Sequence, residues 1–229
     1  MSDLFETRLD ALPFRDQEAR EALLQRGAIS LDRLLAVVRD RTAPTDVRAA
    51  ACWAAGQIGD KRTVTALLDA FGDPDPLVIG EAARSLGLLR SKRALRPLLA
   101  VLTGDEEGER RWAAAYALGE LTDERAVEPL IHALTDPDED VKVRGRAAES
   151  LGYLMDRRAG EPLIAMLRDP SPEVRFWSVF AQGWLRDPRA LPELRQLAAE
   201  DSAEVPGWWS VGKEAADTIP LVEQGWGSA

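Results

Sequence analysis

Short apolar stripes alternate with polar breaks along most of the chain, and the stripes have helical spacing. Within 125–134 the apolar residues fall at i, i+3, i+4 and i+7, which is one face of an α-helix. A polar break with proline follows, as in Asp136-Pro137-Asp138, where aspartate is suited to cap the next helix. The next apolar segment carries an alanine pair and reaches a glycine. The pattern therefore predicts two helices per unit, the first of them short.

This unit recurs at a nearly fixed period. Five glycines at its end are spaced 31, 32, 33 and 31 residues apart: Gly56, Gly87, Gly119, Gly152 and Gly183. An arginine stands six residues after each glycine, and a leucine stands eleven residues after each. Such self-similarity indicates a repeat architecture, in which every unit buries its apolar face against its neighbours. We therefore expect a stack of about six helix pairs rather than one or two globular domains.

Two recurring positions have expected structural roles. An aspartate stands two residues before the recurring arginine in four of the five copies, and we expect these pairs to form a ladder between units. The glycine lies at the crowded end of its helix, and no strand or glycine-rich loop surrounds it. Helix packing therefore explains the glycine better than phosphate binding does.

The most complete copy resembles a known repeat. Its motif is similar to the HEAT-like repeat of the phycobilisome-lyase type in Val143-Arg144, Ala147-Ala148, Leu151-Gly152, Arg158-Ala159 and Pro162-Leu163-Ile164. The resemblance implies an all-α, right-handed α-solenoid, an armadillo-like superhelix of HEAT-like helix pairs. It also implies that the alanine-glycine helices line the concave face and that the arginine-proline helices form the convex face.

We expect one solenoid over the whole chain, with atypical ends because a terminal repeat lacks one neighbour. The expected parts are an N-terminal cap over 1–27, regular repeats over 28–200, a degenerate C-terminal repeat over 201–222 and a tail over 223–229. Trp208 and Trp209 lie in the degenerate repeat. They either cover the open C-terminal core or extend the concave groove, and the sequence leaves both roles open.

Aromatic residues concentrate where the groove is expected. The positions seven, six and three before each glycine, and one after it, hold 8 of the 14 aromatic residues in only 20 places. Aromatic anchors beside charges of mixed sign suit a protein or peptide partner. The alternative is that some of these rings pack between neighbouring long helices. The predicted partner-binding residues are Trp53, Arg84, Trp112, Tyr116, Glu120, Arg146, Glu149, Tyr153, Trp177, Phe180 and Trp184.

Composition excludes several kinds of function. The formal net charge of -10 disfavours binding to nucleic acid or to an anionic membrane. The longest uncharged stretch, 49–59, is shorter than the roughly 18 residues of a membrane span, and the acidic N-terminus lacks signal-peptide features. We therefore expect a cytoplasmic protein. With one histidine and one cysteine, His132 and Cys52, we expect no metal, no cofactor and no catalytic residue.

The sequence thus predicts a non-catalytic scaffold or adaptor that binds a protein or peptide in an aromatic-lined groove. The resemblance implies an alternative, a bilin lyase-type subunit or chromophore-handling chaperone, because some relatives help to attach a tetrapyrrole to a cysteine. A DNA glycosylase-like HEAT enzyme is a further alternative, but it needs a cationic face that the net charge disfavours. A metal-dependent hydroxylase of the deoxyhypusine type needs His-Glu pairs, whereas the only histidine precedes Ala133.

Overall fold

The structure, a computed structural model, describes residues 31–104 and 107–225. The chain divides into two compact units, Met1–Leu98 and Leu99–Ala229. Within the described residues all regular elements are helical, and one isolated antiparallel bridge joins Glu204 to Ser210. The expected N-terminal cap over 1–27 lies outside the described residues, as does the end of the expected tail.

Short and long helices alternate along the described residues and form six pairs. The short helices, of 7 to 10 residues, are α1 (Leu31–Arg39), α3 (Thr63–Asp69), α5 (Leu95–Thr103), α7 (Val127–Thr135), α9 (Gly160–Met166) and α11 (Leu191–Glu200). The long helices, of 13 or 14 residues, are α2 (Thr45–Ile58), α4 (Pro76–Leu89), α6 (Gly108–Leu121), α8 (Val141–Leu154), α10 (Pro172–Leu185) and α12 (Val211–Glu223). This arrangement confirms the predicted all-α fold class.

Successive long helices pack against each other within each unit, α2 on α4 in the first, and α6, α8, α10 and α12 in order in the second. Gly56, Gly119 and Gly152 lie at the closest of these contacts, whereas a Cβ on Gly183 would stand 3.4 Å from the Leu221 side chain. A Cβ on Gly56 would stand 2.9 Å from the Cα of Ser85, and one on Gly119 would stand 2.9 Å from the Cα of Ser150. A Cβ on Gly152 would meet the next long helix at the same distance. Because backbone atoms cannot move aside as a side-chain tip can, the contacts at Gly56, Gly119 and Gly152 require glycine, which bears out the predicted packing role at these three positions.

Two buried serines add hydrogen bonds to these helix contacts. The Ser85 hydroxyl donates to the Cys52 carbonyl oxygen at 2.8 Å, and the Ser150 hydroxyl donates to the Ala115 carbonyl oxygen at 2.9 Å. Each bond joins one long helix to the preceding one at the level of the glycine. The close approach that glycine permits therefore also satisfies the buried hydroxyl groups.

The recurring aspartate and arginine bind each other within one turn of the same copy. In each pair an aspartate oxygen accepts the backbone N–H of the arginine two residues later, and the carboxylate also binds that arginine's guanidinium. The pairs are Asp60–Arg62, Asp123–Arg125, Asp156–Arg158 and Asp187–Arg189. They fix the turn that leads into a short helix, as aspartate side chains commonly do. Each pair is thus formed within one copy, and Arg158 also contacts Glu124 and Glu128 of the preceding copy, as the predicted ladder between units requires.

A different set of ion pairs connects successive copies. An arginine eight residues before the recurring glycine, on a long helix, reaches an acidic residue in the turn that precedes the next long helix. The pairs are Arg48–Asp73, Arg111–Glu139, Arg144–Asp169 and Arg175–Asp201. Burial alone would raise the pKa of Asp73, but its ion pair with Arg48 holds that pKa below the usual value. These partly or fully buried pairs therefore join one copy to the next inside each unit.

None of the described helices combines the length and the apolar character that crossing a membrane requires.

Candidate functional site

Aromatic side chains of the second unit form one connected cluster. They come from α8, α10 and the loop 201–210, and neighbouring ring centroids lie 5.2 to 6.4 Å apart. Most of the pairs are edge-to-face, the arrangement that the ring quadrupoles favour. We call this set the aromatic cluster; its members are Tyr153, Phe176, Trp177, Phe180, Trp184, Trp208 and Trp209.

Helix α10 supplies the centre of the cluster because of its sequence spacing. Trp177, Phe180 and Trp184 stand at i, i+3 and i+7, so their side chains share one face of the helix. Burial varies along this face, from 8% exposure at Trp177 to 46% at Trp184. The Trp184 ring is therefore accessible from solvent, whereas Trp177 is largely covered.

A second aromatic pair joins the cluster through an arginine. The rings of Trp112 and Tyr116, one turn apart on α6, stack with centroids 6.3 Å apart and planes at 10°. The guanidinium carbon of Arg146 lies 4.4 Å from the Trp112 ring centroid, 5.4 Å from that of Tyr116 and 5.8 Å from that of Trp177. These distances are those of cation–π contacts. Arg146 therefore links the α6 pair to the aromatic cluster.

A buried carboxylate holds Arg146 in this place. Glu149, one turn later on α8, forms an ion pair with the Arg146 guanidinium and accepts a hydrogen bond from the Tyr153 hydroxyl at 3.0 Å. Burial raises the pKa of Glu149, and burial together with the Glu149 carboxylate raises the pKa of Tyr153. Glu149 is thus a positioning residue for Arg146 and Tyr153.

The loop 201–210 folds onto α10 and places two tryptophans there. The Asp201 carbonyl oxygen accepts the Gly212 N–H at 2.8 Å, and the Asp201 carboxylate pairs with Arg175. A Cβ on Gly212 would stand 2.5 Å from that carbonyl oxygen, so this close approach requires glycine. The Trp209 indole N–H donates to Glu214 at 2.7 Å, and the Lys213 ammonium lies 4.9 Å from the Trp209 ring centroid. The loop is therefore anchored on both sides of its tryptophan pair.

Trp208 and Trp209 each pack against a buried ring and remain about half exposed. Trp208 and Trp209 both contact Phe176, which is only 1% exposed, so they cover this ring. Trp208 also contacts Trp177 at 5.3 Å. With 50% and 42% of Trp208 and Trp209 exposed, both indoles also extend the aromatic surface.

A cleft opens beside Trp208 within the second unit. It has a volume of about 400 Å³, within the range typical of ligand-binding clefts. Indoles from α6, α10 and the loop 201–210 form its walls, and charged side chains stand among them. We call it the tryptophan cleft; its lining residues are Glu109, Trp112, Lys142, Arg146, Glu173, Trp177, Val205, Pro206 and Trp208.

The structure brings most of the predicted site residues together. Those in or beside the aromatic cluster are Trp112, Tyr116, Glu120, Arg146, Glu149, Tyr153, Trp177, Phe180 and Trp184. Trp53 and Arg84 lie in the first unit, where Trp53 is buried and Arg84 is exposed. Glu149, Trp53 and Trp177 are each less than 9% exposed, so little of these side chains is available to a partner.

Sequence reasoning found Arg146 but missed the other charged residues of the tryptophan cleft, Glu109, Lys142 and Glu173. Glu109 stands three residues before Trp112 on α6, and Glu173 stands four residues before Trp177 on α10. Residues three or four apart share a helix face, so this spacing was a signal that placed both carboxylates beside the rings. Val205 and Pro206 had no such signal, because their place depends on the fold of the loop.

The described residues show no arrangement for metal or thiolate chemistry. Among them, no group of three or more histidine, cysteine, aspartate and glutamate residues is placed to hold a metal ion. Burial raises the pKa of the Cys52 thiol to about 12, so this group stays protonated at neutral pH and is a poor nucleophile.

The alternating helix pairs and their inter-copy contacts define a helical-repeat protein of the α-solenoid class. A family model described as HEAT repeats matches residues 31–119, 72–142 and 127–208. The chain therefore belongs to the HEAT-repeat family, which confirms the predicted resemblance. No curated protein shows significant sequence similarity to the chain.

Solved structures share the fold at low sequence identity. The complex of CpcE and CpcF of phycocyanin lyase from Nostoc sp. matches with a TM-score of 0.57 and 22% identity, covering 72% of this chain and 99% of that one. A designed armadillo repeat protein in complex with the peptide (KR)4 matches with a TM-score of 0.52 and 19% identity, covering 83% and 100%. An engineered protein matches with a TM-score of 0.53 and 20% identity, covering 85% and 96%. These likenesses support an armadillo-like HEAT solenoid.

Proposed function

We propose that the second unit is a non-catalytic binding module that holds a peptide segment of a partner protein across the aromatic cluster. The observation that carries this proposal is the joining of three half-exposed indoles, Trp184, Trp208 and Trp209, into one surface. Exposed tryptophans on a connected surface are typical of interaction sites, because an indole buries much area at low entropic cost.

The fixed geometry of this surface favours binding further. The loop 201–210 is tied to α10 and α12 through Asp201, and Arg146 is held by Glu149. A partner therefore meets rings that are already in position, which lowers the entropic cost of association. The fold likeness to a designed armadillo protein solved with a peptide supports a peptide as the partner.

The polar groups of the surface favour binding over catalysis. Arg146 and Glu149 neutralise each other, and the Tyr153 hydroxyl donates to Glu149. A catalytic acid, base or nucleophile needs a reactive group within reach of a substrate, whereas these groups bind one another. HEAT and armadillo folds are also typical of scaffolds.

A flat chromophore is the second candidate ligand, favoured by the three indoles that wall the tryptophan cleft. It would stack on these rings, and the fold likeness to a phycocyanin lyase complex suggests a bilin as the compound to try. Titration with a bilin, followed by absorbance, tests this alternative. A red-shifted band that is lost on Trp208→Ala would favour the chromophore over the peptide.

The peptide proposal is tested with peptides selected from a random phage-displayed library on the whole protein. Binding of the labelled peptide is then measured by fluorescence anisotropy for Trp184→Ala and Trp208→Ala. Each substitution should weaken binding about tenfold or more, as loss of an interface tryptophan commonly does. Because Trp184 is about half exposed, Trp184→Ala should change the melting temperature little, whereas Trp208→Ala also uncovers Phe176 and should lower it.

The matched control is Leu77→Ala, which removes a 39% exposed apolar side chain in the first unit. This variant should bind the selected peptides as the wild type does. Selected peptides whose affinity is the same in Trp184→Ala, Trp208→Ala and the wild type would refute the proposal.

A further inference from the structure

The negative charge of the protein is concentrated in the unit that carries the aromatic cluster. The first unit, Met1–Leu98, contains 14 acidic and 15 basic residues, whereas the second, Leu99–Ala229, contains 25 acidic and 14 basic residues. The second unit therefore has a formal charge of -11, and the first unit is close to neutral. A field of this sign attracts cations and repels anions during an encounter.

The charges that line the tryptophan cleft leave one carboxylate uncompensated. The Lys142 ammonium lies 4.0 Å from a Glu109 carboxylate oxygen, and Arg146 pairs with Glu149. Glu173 makes no hydrogen bond or ion pair with any residue that the structure describes. The cleft therefore combines indole walls with a carboxylate that has no cationic partner in the part of the chain that the structure describes.

The indole faces of this cleft are suited to a guanidinium or ammonium group. The protein already places one guanidinium there, since Arg146 lies over Trp112 at 4.4 Å and near Trp177 at 5.8 Å. The Trp208 ring lines the same cleft and is half exposed, and it carries the same negative π-face, over which no cation of the described residues lies. Trp208 and Glu173 together thus offer a face and a counter-charge to a second cation.

We propose that the tryptophan cleft receives a cationic side chain, arginine or lysine, of a basic peptide. This inference rests on the proposed function and gives the partner its chemistry. The cation stacks on Trp208, the Glu173 carboxylate neutralises it, and the acidic second unit attracts the rest of the peptide. An apolar segment would use the indoles but not the charge, and an acidic segment would be repelled.

The test uses labelled peptides of alternating arginine and glycine, with lysine, citrulline and glutamate in place of arginine in three further peptides. Citrulline keeps the shape of arginine and lacks its charge, so the comparison isolates the cation. Anisotropy should show binding of the arginine and lysine peptides, about tenfold weaker binding of the citrulline peptide, and none of the glutamate peptide. Equal affinity for the arginine and citrulline peptides would overturn the inference.

Two charge-matched substitutions localise the interaction. Glu173→Gln should weaken binding of the arginine peptide severalfold, whereas Glu161→Gln should leave it nearly unchanged. The control is close, because both glutamates stand in the first turn of a helix, Glu173 on α10 and Glu161 on the short helix α9. Equal weakening by both substitutions would mean that only the overall field acts, and it would overturn the assignment to the cleft.

Trp208→Ala separates failure of this inference from failure of the proposed function. If the citrulline peptide or another uncharged peptide binds and Trp208→Ala abolishes that binding, the aromatic surface binds peptides but does not select cations. If no peptide, charged or selected from a library, binds in a Trp208-dependent way, both proposals are wrong. If Trp208→Ala loses binding of the arginine peptide, and the wild type binds the arginine peptide more tightly than the citrulline peptide, both proposals are supported.

Discussion

Gln182 is a buried amide in a place where three other copies have leucine, and replacing it should stabilise the protein. It stands immediately before Gly183 on α10, and Leu86, Leu118 and Leu151 hold the corresponding position before their glycines. Its side chain is fully buried, and neither its amide nitrogen nor its amide oxygen has a hydrogen-bond partner among the described residues. The substitution to test is Gln182→Leu.

The expected gain follows from the cost of burying unpaired polar atoms. An unsatisfied buried donor or acceptor costs about 1–3 kcal/mol, and leucine has nearly the volume of glutamine, so the exchange should not disturb the packing. The Ser178 hydroxyl, one turn earlier, is also buried without a partner, and the substitution does not deprive it of one. We therefore expect Gln182→Leu to raise the free energy of unfolding by about 2 kcal/mol.

Urea unfolding followed by circular dichroism measures this change, and the midpoint should rise while the slope stays constant. Gln196→Leu is the control, because Gln196 is exposed on α11 and, among the described residues, its amide bonds to Glu200 of the same helix alone. That variant should differ from the wild type by less than about 0.5 kcal/mol. A loss of stability in Gln182→Leu would refute the reasoning, since it would show that the amide is satisfied in the folded protein.

Three further predictions concern the backbone and the ion pairs. Gly119→Ala should lower the urea midpoint, because its Cβ would stand 2.9 Å from a backbone Cα of α8. Gly80→Ala, whose Cβ would have nothing within 4 Å, should instead raise the free energy of unfolding by about 1 kcal/mol, and equal effects of the two substitutions would contradict the packing role. Thr122, which ends α6 at a φ of 50°, is β-branched in the left-handed region, so Thr122→Gly should stabilise by about 1 kcal/mol in thermal unfolding; a loss would contradict this. Because Arg48 lowers the folded-state pKa of Asp73, this group contributes stability above its unfolded pKa of about 4 and loses it as the pH falls through the lower folded value. Asp73→Asn should therefore be less stable at neutral pH and should lose less stability than the wild type below about pH 4; parallel pH profiles would contradict the linkage.

The repeat was predictable because its signals are periodic. The regular spacing of the glycines located the end of each long helix, and the close helix contact at Gly56 gives the physical reason for a glycine at that position. Spacing alone did not identify the partners of charged residues. Asp156 and Arg158 recur together because they fix one turn, and Arg144 finds Asp169 only after the chain has folded into the next helix pair. Contacts between copies therefore needed the structure.

The sequence predicted which helix face carries the candidate site, but it did not predict how far each side chain is buried. Helical phase placed Trp177 and Trp184 on the same side of α10, and both belong to the aromatic cluster. Their different burial depends on the loop 201–210, which folds back so that Trp208 covers Trp177 and Phe176. The loop has no periodic pattern that predicts this path. Exposure of a repeat position is thus set by non-local contacts that a sequence count does not contain.

The ion pairs between copies give the chain a direction during biosynthesis. Arg48 and Arg144 each pair with an aspartate that is synthesised 25 residues later, and Arg175 pairs with Asp201, which is synthesised 26 residues later. When a nascent chain has emerged from the ribosome only as far as one of these arginines, the acidic partner of that arginine has not yet been made. Removing one partner of a buried pair costs about 3–5 kcal/mol. We therefore expect each helix pair to pack stably only after the turn that follows it has left the ribosome. In a chain truncated just before Asp201, α10 should detach from the fold before α8 does.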